Sequence, residues 1–445
     1  MHVSYRQFTE KPMAEMGSLV KWWTFLKRQQ FHHLDGVGVS HLRIFLEMKS
    51  LLHHAFGVRN YRYLRTHYMG GQIMFEIEPE KEPEAPAGQR LRRHGFRWRI
   101  LRSVSIGFKP VLLKVKVPRW TNTTTGEEFE QTPPFALPYT KITRPLARLI
   151  IDLARLMTLS DVAQWLGLSW DTIKTVVKAR LEKDYKRIGY RHVRRIAIDE
   201  IYLGKAKKYV TLVLDLESGR IIWVGQGRGG AALREFWRRF KQSGGKLRAV
   251  AMDMSGAYAA SVRVHAPHAI LTFDHFHVIK MMNEKLNDIR SQLVREASED
   301  DAKKAIKGIR WLLLHRKDNL EKDAAARLER ALVLNAPLQC AYLLKEELGL
   351  LWAQADGRKA WTFMREWCAK ARASGIRQLQ AMAKTLLKHA KGILSYYKTR
   401  LTSGMMEGIN RKIRGILSSA FGFRDQDFFK LRLYSLHESK FKFVG

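Results

Sequence analysis

The sequence predicts an α/β chain of several domains, and three observations carry that prediction. From residue 194 onwards apolar strands alternate with amphipathic helices after an opening hairpin. Between 69 and 136, short stretches alternate apolar and polar residues. From 298 to 400 the chain is almost all helix formers. At 445 residues it is too long for one ordinary core, and at 46% hydrophobic it can fill several. Lys and Arg total 79 against 42 Asp and Glu, a formal charge of +37. Such an excess repels itself in a compact fold unless a polyanion neutralises it, which makes nucleic acid the leading partner. A membrane surface ranks lower, because the charge is spread along the chain and no apolar run reaches about 18 residues. Cys340 and Cys368 have no metal-ligand spacing and form at most one disulfide. With a start, "MHVSYRQFTEKPM", that lacks the apolar core of a signal peptide, they predict a cytoplasmic, nucleoid-associated protein.

Taken in order, residues 1–68 read as a helical segment ("LRIFLEMKSLLHHAF") without a legible role. Residues 69–136 read as a small β-rich module. There "GGQIMFEIEPE", "RWRILRSVSIG" and "KPVLLKVKVPRW" alternate as half-buried strands do, and the acidic Glu78–Gly88 reads as an exposed turn. Residues 137–190 hold a helix-turn-helix. Two short amphipathic helices flank "LGLS". Gly167 sits where the turn needs a positive φ, Ser169 caps the second helix, and Ala163 is small where the helices cross. Ile173 and Val177 pack back on Leu166 and Val162. The second helix, about Trp170–Arg180, then presents Trp170, Thr172, Lys174, Lys178 and Arg180 to a DNA major groove. A plain αα-hairpin is the alternative. The basic run "KRIGYRHVRR" follows, with Arg191, Arg194 and Arg195 as phosphate contacts.

Residues 191–297 begin with the strand "RRIAID" and the hairpin "KYVTLVLDLESGRIIWVGQGR". A helix, the strand "LRAVAMD", a helix, the strand "AILTFD" and the long helix "HFHVIKMMNEKLNDIR" come next. Three antiparallel strands, then strands separated by helices, predict a mixed sheet of the ribonuclease H type. Residues 298–400 read as a large all-helical insertion, with Trp311, Trp352, Trp361 and Trp367 taken as core. Residues 401–445 return to the sheet through the helix of "SGMMEGINRKIRG".

Asp199 closes the first strand and Asp253 closes "LRAVAMD"; in such a sheet those strands are neighbours. Two close carboxylates cost repulsion and desolvation unless a cation bridges them. Mg²⁺ (or Mn²⁺) takes oxygen ligands, keeps waters and accepts phosphate oxygens. A third carboxylate is needed for a second ion, and Glu407 is the best candidate. Asn410, Arg411 and Arg414 share its helix and would set a polar, positive face beside a phosphate. Two ions so held would activate a water or a 3′-hydroxyl for in-line attack at phosphorus.

Other acids have plainer readings. Glu200 points to the opposite strand face and supports Asp199 or forms a salt bridge. Asp215 is a turn acid. Asp274 and His275 support the site, touch DNA or, for Asp274, cap the next helix, and His277 packs or hydrogen-bonds. "GQGRGG" has no following Lys-Ser/Thr and is a hairpin-to-helix loop. His32–His33 and His53–His54 lack the spacing of a helical metal site.

The blocks "AIDEIYLGK", "AMDMSGAY", "FDHFHVIKMMNE" and "SGMMEGINRKIRGILSSAFGFR" resemble, in order, those of the bacterial insertion-sequence transposases of the ISL3 family, over roughly residues 80–445. That is a DDE transposase group with a ribonuclease H-like core. The resemblance implies Asp199, Asp253 and Glu407 as the catalytic carboxylates and 298–400 as the family's insertion. The family carries a cysteine zinc finger before the helix-turn-helix. The matching region here has no cysteine, so no structural zinc is expected and its DNA-binding role is left open. The implied function is a transposase. It binds the terminal inverted repeats of its element on double-stranded DNA, as a homodimer or larger assembly, cleaves the ends and transfers the 3′-hydroxyls to target DNA. A non-catalytic DNA-binding regulator derived from a transposase, and a nuclease that cuts without joining, are the alternatives.

Overall fold

The computed structural model describes residues 51–81, 90–204, 208–297, 300–315, 319–402, 404–420 and 424–438. The first fifty residues of the expected helical segment lie outside the described residues. The chain divides at Met157/Thr158 into two compact units.

The first unit is built on a five-stranded sheet of β1 (Tyr61–Met69), β2 (Gln72–Pro79), β3 (Leu91–Ile106), β4 (Lys109–Asn122) and the short β5 (Glu128–Glu130). Its order is β1-β2-β4-β3, with β5 on β4; β2 and β4 run parallel and the other pairs antiparallel. One face carries the alternating apolar residues Ile73, Phe75, Ile77, Val111, Leu113, Val115 and Val117, which pack with Leu101, Leu52, Phe56 and Phe135. Two expectations are corrected here. "YRYLRTHYM" is a strand, not helix, since its aromatic and β-branched residues pair along β2. Glu78 is held in β2 by ion pairs with Arg62 and Lys116 and is not part of an exposed turn. The helix α1 (Arg144–Leu156), capped by Thr143, completes the unit.

The second unit opens with α2 (Leu159–Leu166) and α3 (Trp170–Tyr185). Thr158 and Asp161 form a reciprocal capping box, Gly167 ends α2 at φ +61°, and Ser169 caps α3. Ile173, Val177, Val162 and Ala163 are buried. The basic segment that follows is anchored by the buried Tyr190 and Val193.

The second sheet contains β6 (Arg195–Gly204), β7 (Lys208–Asp215), β8 (Arg220–Gln226), β9 (Ala249–Met252) and β10 (Ile270–Phe273), in the order β10-β9-β6-β7-β8. β6, β7 and β8 are antiparallel, and β9 and β10 run parallel to β6. Asp215 takes the turn role read for it, accepting from the Glu217 and Ser218 amides. Between strands lie α4 (Gly230–Gln242) and α5 (Gly256–His265), and after β10 comes α6 (His275–Glu296).

One sheet face shares a continuous apolar core with α4, α5, α6 and the later helices α7 (Asp300–Gly308), α8 (Lys322–Val333), α9 (Ala336–Gly349), α10 (Gly357–Ala373) and α11 (Arg377–Leu394). The helical stretch therefore grows out of the sheet's own core. Gly392 of α11 shows how closely: a Cβ there would lie 2.4 Å from the Phe273 ring of β10. The other face is covered by α13 (Gly404–Ser419) and α14 (Gln426–Tyr434), which follow the short α12 (Tyr396–Thr399), through Met406, Ile409, Ile413, Phe429 and Leu433. Of the four tryptophans read as core, Trp367 is fully buried and Trp352 packs at the core edge. Trp311 and Trp361 are exposed. Trp311 lies in the turn after α7, off any buried helical stripe, with the Arg310 guanidinium over its ring.

Candidate active site

Asp199 sits in β6, and Asp253 directly follows β9, the parallel neighbour of β6. Hydrophobic strands thus deliver both carboxylates to the same end of the sheet. Asp199 Oδ1 accepts from the Glu200 amide at 2.8 Å, and its Oδ2 accepts from Asn410 Nδ2 at 2.7 Å. Asn410 reaches across from α13, and its own Oδ1 is buried with no hydrogen-bond partner. Asp253 accepts from the Ser255 amide, at 3.0 Å, at the start of α5. Burial pushes the Asp253 pKa up and the charge of Asp199 adds to this, while the Ser255 amide, His277 and Lys280 oppose it.

His277 completes the cluster. Its Nδ1 lies 3.0 Å from Oδ2 of the buried Asp274. That hydrogen bond raises the imidazole pKa, and the charges of Asp199, Asp274 and Asp253 raise it further against the cost of burial. Asp274 occupies the N-cap position of α6 but makes no side-chain cap bond. Glu200 accepts from the Tyr258 hydroxyl at 3.3 Å, and Tyr258 is bonded in turn to Thr211.

Glu407 is one turn before Asn410 on α13. It is exposed and pairs with Arg411 at 3.4 Å. Among the described residues no three His, Cys, Asp or Glu side chains are grouped to hold a metal ion. The structure therefore brings together Asp199, Asp253 and Asn410, and leaves Glu407 outside that group. Asn410, read as a DNA contact, is bonded to Asp199. Arg411 and Arg414 remain on the exposed side of α13.

The helix-turn-helix residues divide similarly. Trp170 is exposed, with Lys174 over its ring, and Thr172 is turned to Ser169. Lys174 and Lys178 both point to Asp425, each at 3.0 Å, and Asp425 caps α14. These two cations and the Phe428 amide hold the Asp425 carboxyl far below its usual range, the amide contributing most. Arg180 pairs with Asp184, Arg195 with Glu217, and Arg194 donates to the Arg191 carbonyl. Lys174, Lys178, Arg180 and Arg195 thus already have carboxylate partners within the chain. The Lys174, Lys178 and Arg195 partners lie far off in sequence and leave no periodic trace, whereas Arg180–Asp184 is an i,i+4 pair whose spacing was in plain view.

A family model described as "Transposase" matches residues 196–433, and the model of the helix-turn-helix domain of transposase family ISL3 matches residues 130–181. The transposase for insertion sequence element IS1001 of Bordetella parapertussis is 34% identical over 301 residues, 66% of this chain and 73% of that protein. The transposase for IS1557 of Mycobacterium tuberculosis is 26% identical over 80% of this chain and 86% of its own. A solved Drosophila P element transposase strand transfer complex aligns at 12% identity and a TM-score of 0.36, over 66% of this chain and 91% of that one; the likeness is too slight to carry a fold assignment. The two family models between them span the helix-turn-helix and the sheet that carries the acid pair, and both are models of transposases. The chain belongs to the ISL3 family of transposases. Among the described residues no helix is long and apolar enough to cross a membrane.

Proposed function

We propose that the chain is a DDE transposase. It binds the terminal inverted repeats of its own element, hydrolyses the phosphodiester at each 3′ end, and joins the freed 3′-hydroxyls to target DNA. The observation that carries this reading is the Asp199–Asp253 pair on neighbouring parallel strands, with Asp253 raised in proton affinity by burial and by Asp199. The strand order β10-β9-β6-β7-β8 supports a ribonuclease H-like core, with the helices after α6 as its insertion.

The donor set fits Mg²⁺ or Mn²⁺: two carboxylates and the unpartnered Asn410 Oδ1 are all hard oxygens. Such ions, two per site in this reading, supply charge neutralisation at phosphate and a more acidic bound water or hydroxyl. The chain's own residues do the positioning. Asn410 orients Asp199, the Ser255 amide orients Asp253, and Asp274 fixes His277. Arg411 and Arg414 hold phosphate. Glu407 is the third carboxylate, joining once DNA draws Arg411 away. The helix-turn-helix reads the repeats through Trp170 and the first turn of α3, with Lys174 and Lys178 recruited from Asp425. Both ends must be held together, which requires a dimer or larger assembly on DNA.

A non-catalytic DNA-binding regulator is the second reading, favoured by one observation: Glu407 is exposed and ion-paired away from the aspartates. Cleavage of a DNA fragment carrying the gene's own flanking ends, with Mg²⁺ or Mn²⁺, separates the two. Metal-dependent nicks at the ends with wild type, absent with Asp199→Asn, support the transposase. Tight binding without cutting by either protein supports the regulator.

A further inference from the structure

The first unit's sheet has a second face, opposite the apolar one, that carries exposed aromatic and basic side chains. On it lie Phe96, Trp98 and Ile100 of β3, which are 45%, 40% and 51% exposed. Across the register, Trp98 pairs with Lys116 and Ile100 with Lys114 of β4, and Lys114 pairs with Glu76 of β2. Each lysine is bracketed. Lys114 lies 3.5 Å from Glu76 and 4.9 Å from the centre of the Trp98 ring. Lys116 lies 3.1 Å from Glu78 and 4.4 Å from the centre of the Phe96 ring. Arg65 also binds Glu76, at 2.8 Å, Arg62 binds Glu78, at 2.6 Å, and Arg93 lies 4.0 Å over Phe96.

Two carboxylates thus organise four cations, Arg65 and Lys114 on Glu76 and Arg62 and Lys116 on Glu78. Internal stability alone needs no more cations than carboxylates; the surplus costs repulsion until an anion meets it. Fixing long lysine side chains in advance lowers the entropy lost on binding. The aromatic faces are already occupied by cations, so base stacking is blocked while the positive charge is presented outwards. Lys114 and Lys116 are two residues apart on one strand face, about 6.6 Å.

We propose that this face grips the phosphate backbone of duplex DNA, independently of sequence and without zinc. The proposal rests on the reading of the chain as DNA-binding, but not on the catalytic assignment. The test is a salt titration of the full chain binding a labelled duplex of arbitrary sequence, about 30 base pairs long. Lys114→Gln/Lys116→Gln is compared with Lys384→Gln/Lys388→Gln, a pair on the exposed side of α11 that removes equal charge. The first double variant should flatten the slope of log affinity against log salt by about 2 and weaken binding at least about tenfold near 0.1 M salt. The second should keep the wild-type slope. A partly unfolded sample lowers amplitude and leaves the slope unchanged. Equal slopes in wild type and Lys114→Gln/Lys116→Gln, or equal flattening by both pairs, overturn the proposal and leave the transposase reading intact. No duplex binding by wild type overturns both.

Discussion

The two sheets handle buried acid in opposite ways. In the first, Glu76 is nearly buried but surrounded by Arg65, His67 and Lys114, and its pKa is lowered to about 2, chiefly by the Arg65 hydrogen bond. In the second, Asp253 is partly buried beside another carboxylate and its pKa is raised. One acid has its cations built in; the other is short of them. The first arrangement makes a stable surface; in the second, His277 and Lys280 only partly offset burial and the Asp199 charge, and the proposed function assigns the remaining deficit to a metal ion.

The largest expected effect comes from removing the second sheet's acids. Asp199→Asn and Asp253→Asn should each lower end cleavage by at least about 10²–10³-fold while leaving duplex affinity within about twofold, as gel-shift and nicking assays on one preparation would register. Glu407→Gln should fall as far; near-wild-type cleavage in it would place the third ligand elsewhere.

Packing comes next. Gly392→Ala forces a methyl group into the Phe273 ring and should destabilise the second unit by about 1–3 kcal/mol in urea unfolding. Asp425→Ala removes the α14 cap and both lysine partners, and should cost about 1–2 kcal/mol. It should also steepen the salt dependence of DNA binding, because Lys174 and Lys178 are released. A stability loss without that steepening would make Asp425 purely structural.

The smallest effects separate the two acids by pH. Glu76 has a folded pKa below its unfolded one, so its stabilisation is complete above the ordinary value of 4.5 and is lost as pH falls towards about 2. Glu76→Gln should therefore lose stability at neutral pH and show a weaker acid dependence. Asp253 has the opposite sign: its folded pKa lies above 3.8, so stability declines as pH rises through the folded value. Asp253→Asn should then be slightly more stable than wild type at neutral pH while inactive. Thermal melts at pH 3, 5 and 7 would expose either sign being wrong.

How much of this was legible depended on the range of the interaction. The apolar strand ending at Asp253, the Gly167 turn and the Ser169 cap are local patterns and were readable, whereas β6 does not close at Asp199 but runs on to Gly204 along β7. Strand β1 was missed because "YRYLRTHYM" declares itself only against β2. Asn410 reaches Asp199 across 211 residues and Lys178 reaches Asp425 across 247, and no spacing rule links such pairs. Hence α3 looked like a free basic surface although two of its lysines were already engaged. His277 stood three residues after Asp274 in plain view, but its exposure to the charges of Asp199 and Asp253 required the fold.

The contrast between the sheets is tested most directly by calorimetric titration of Mn²⁺ into the full chain, comparing wild type, Asp199→Asn/Asp253→Asn and Glu76→Gln. Saturable binding in wild type and Glu76→Gln, lost in the double aspartate variant, is the expected result. Equal Mn²⁺ binding in the double variant, or loss of binding in Glu76→Gln alone, would contradict the assignment of the cation to the second sheet.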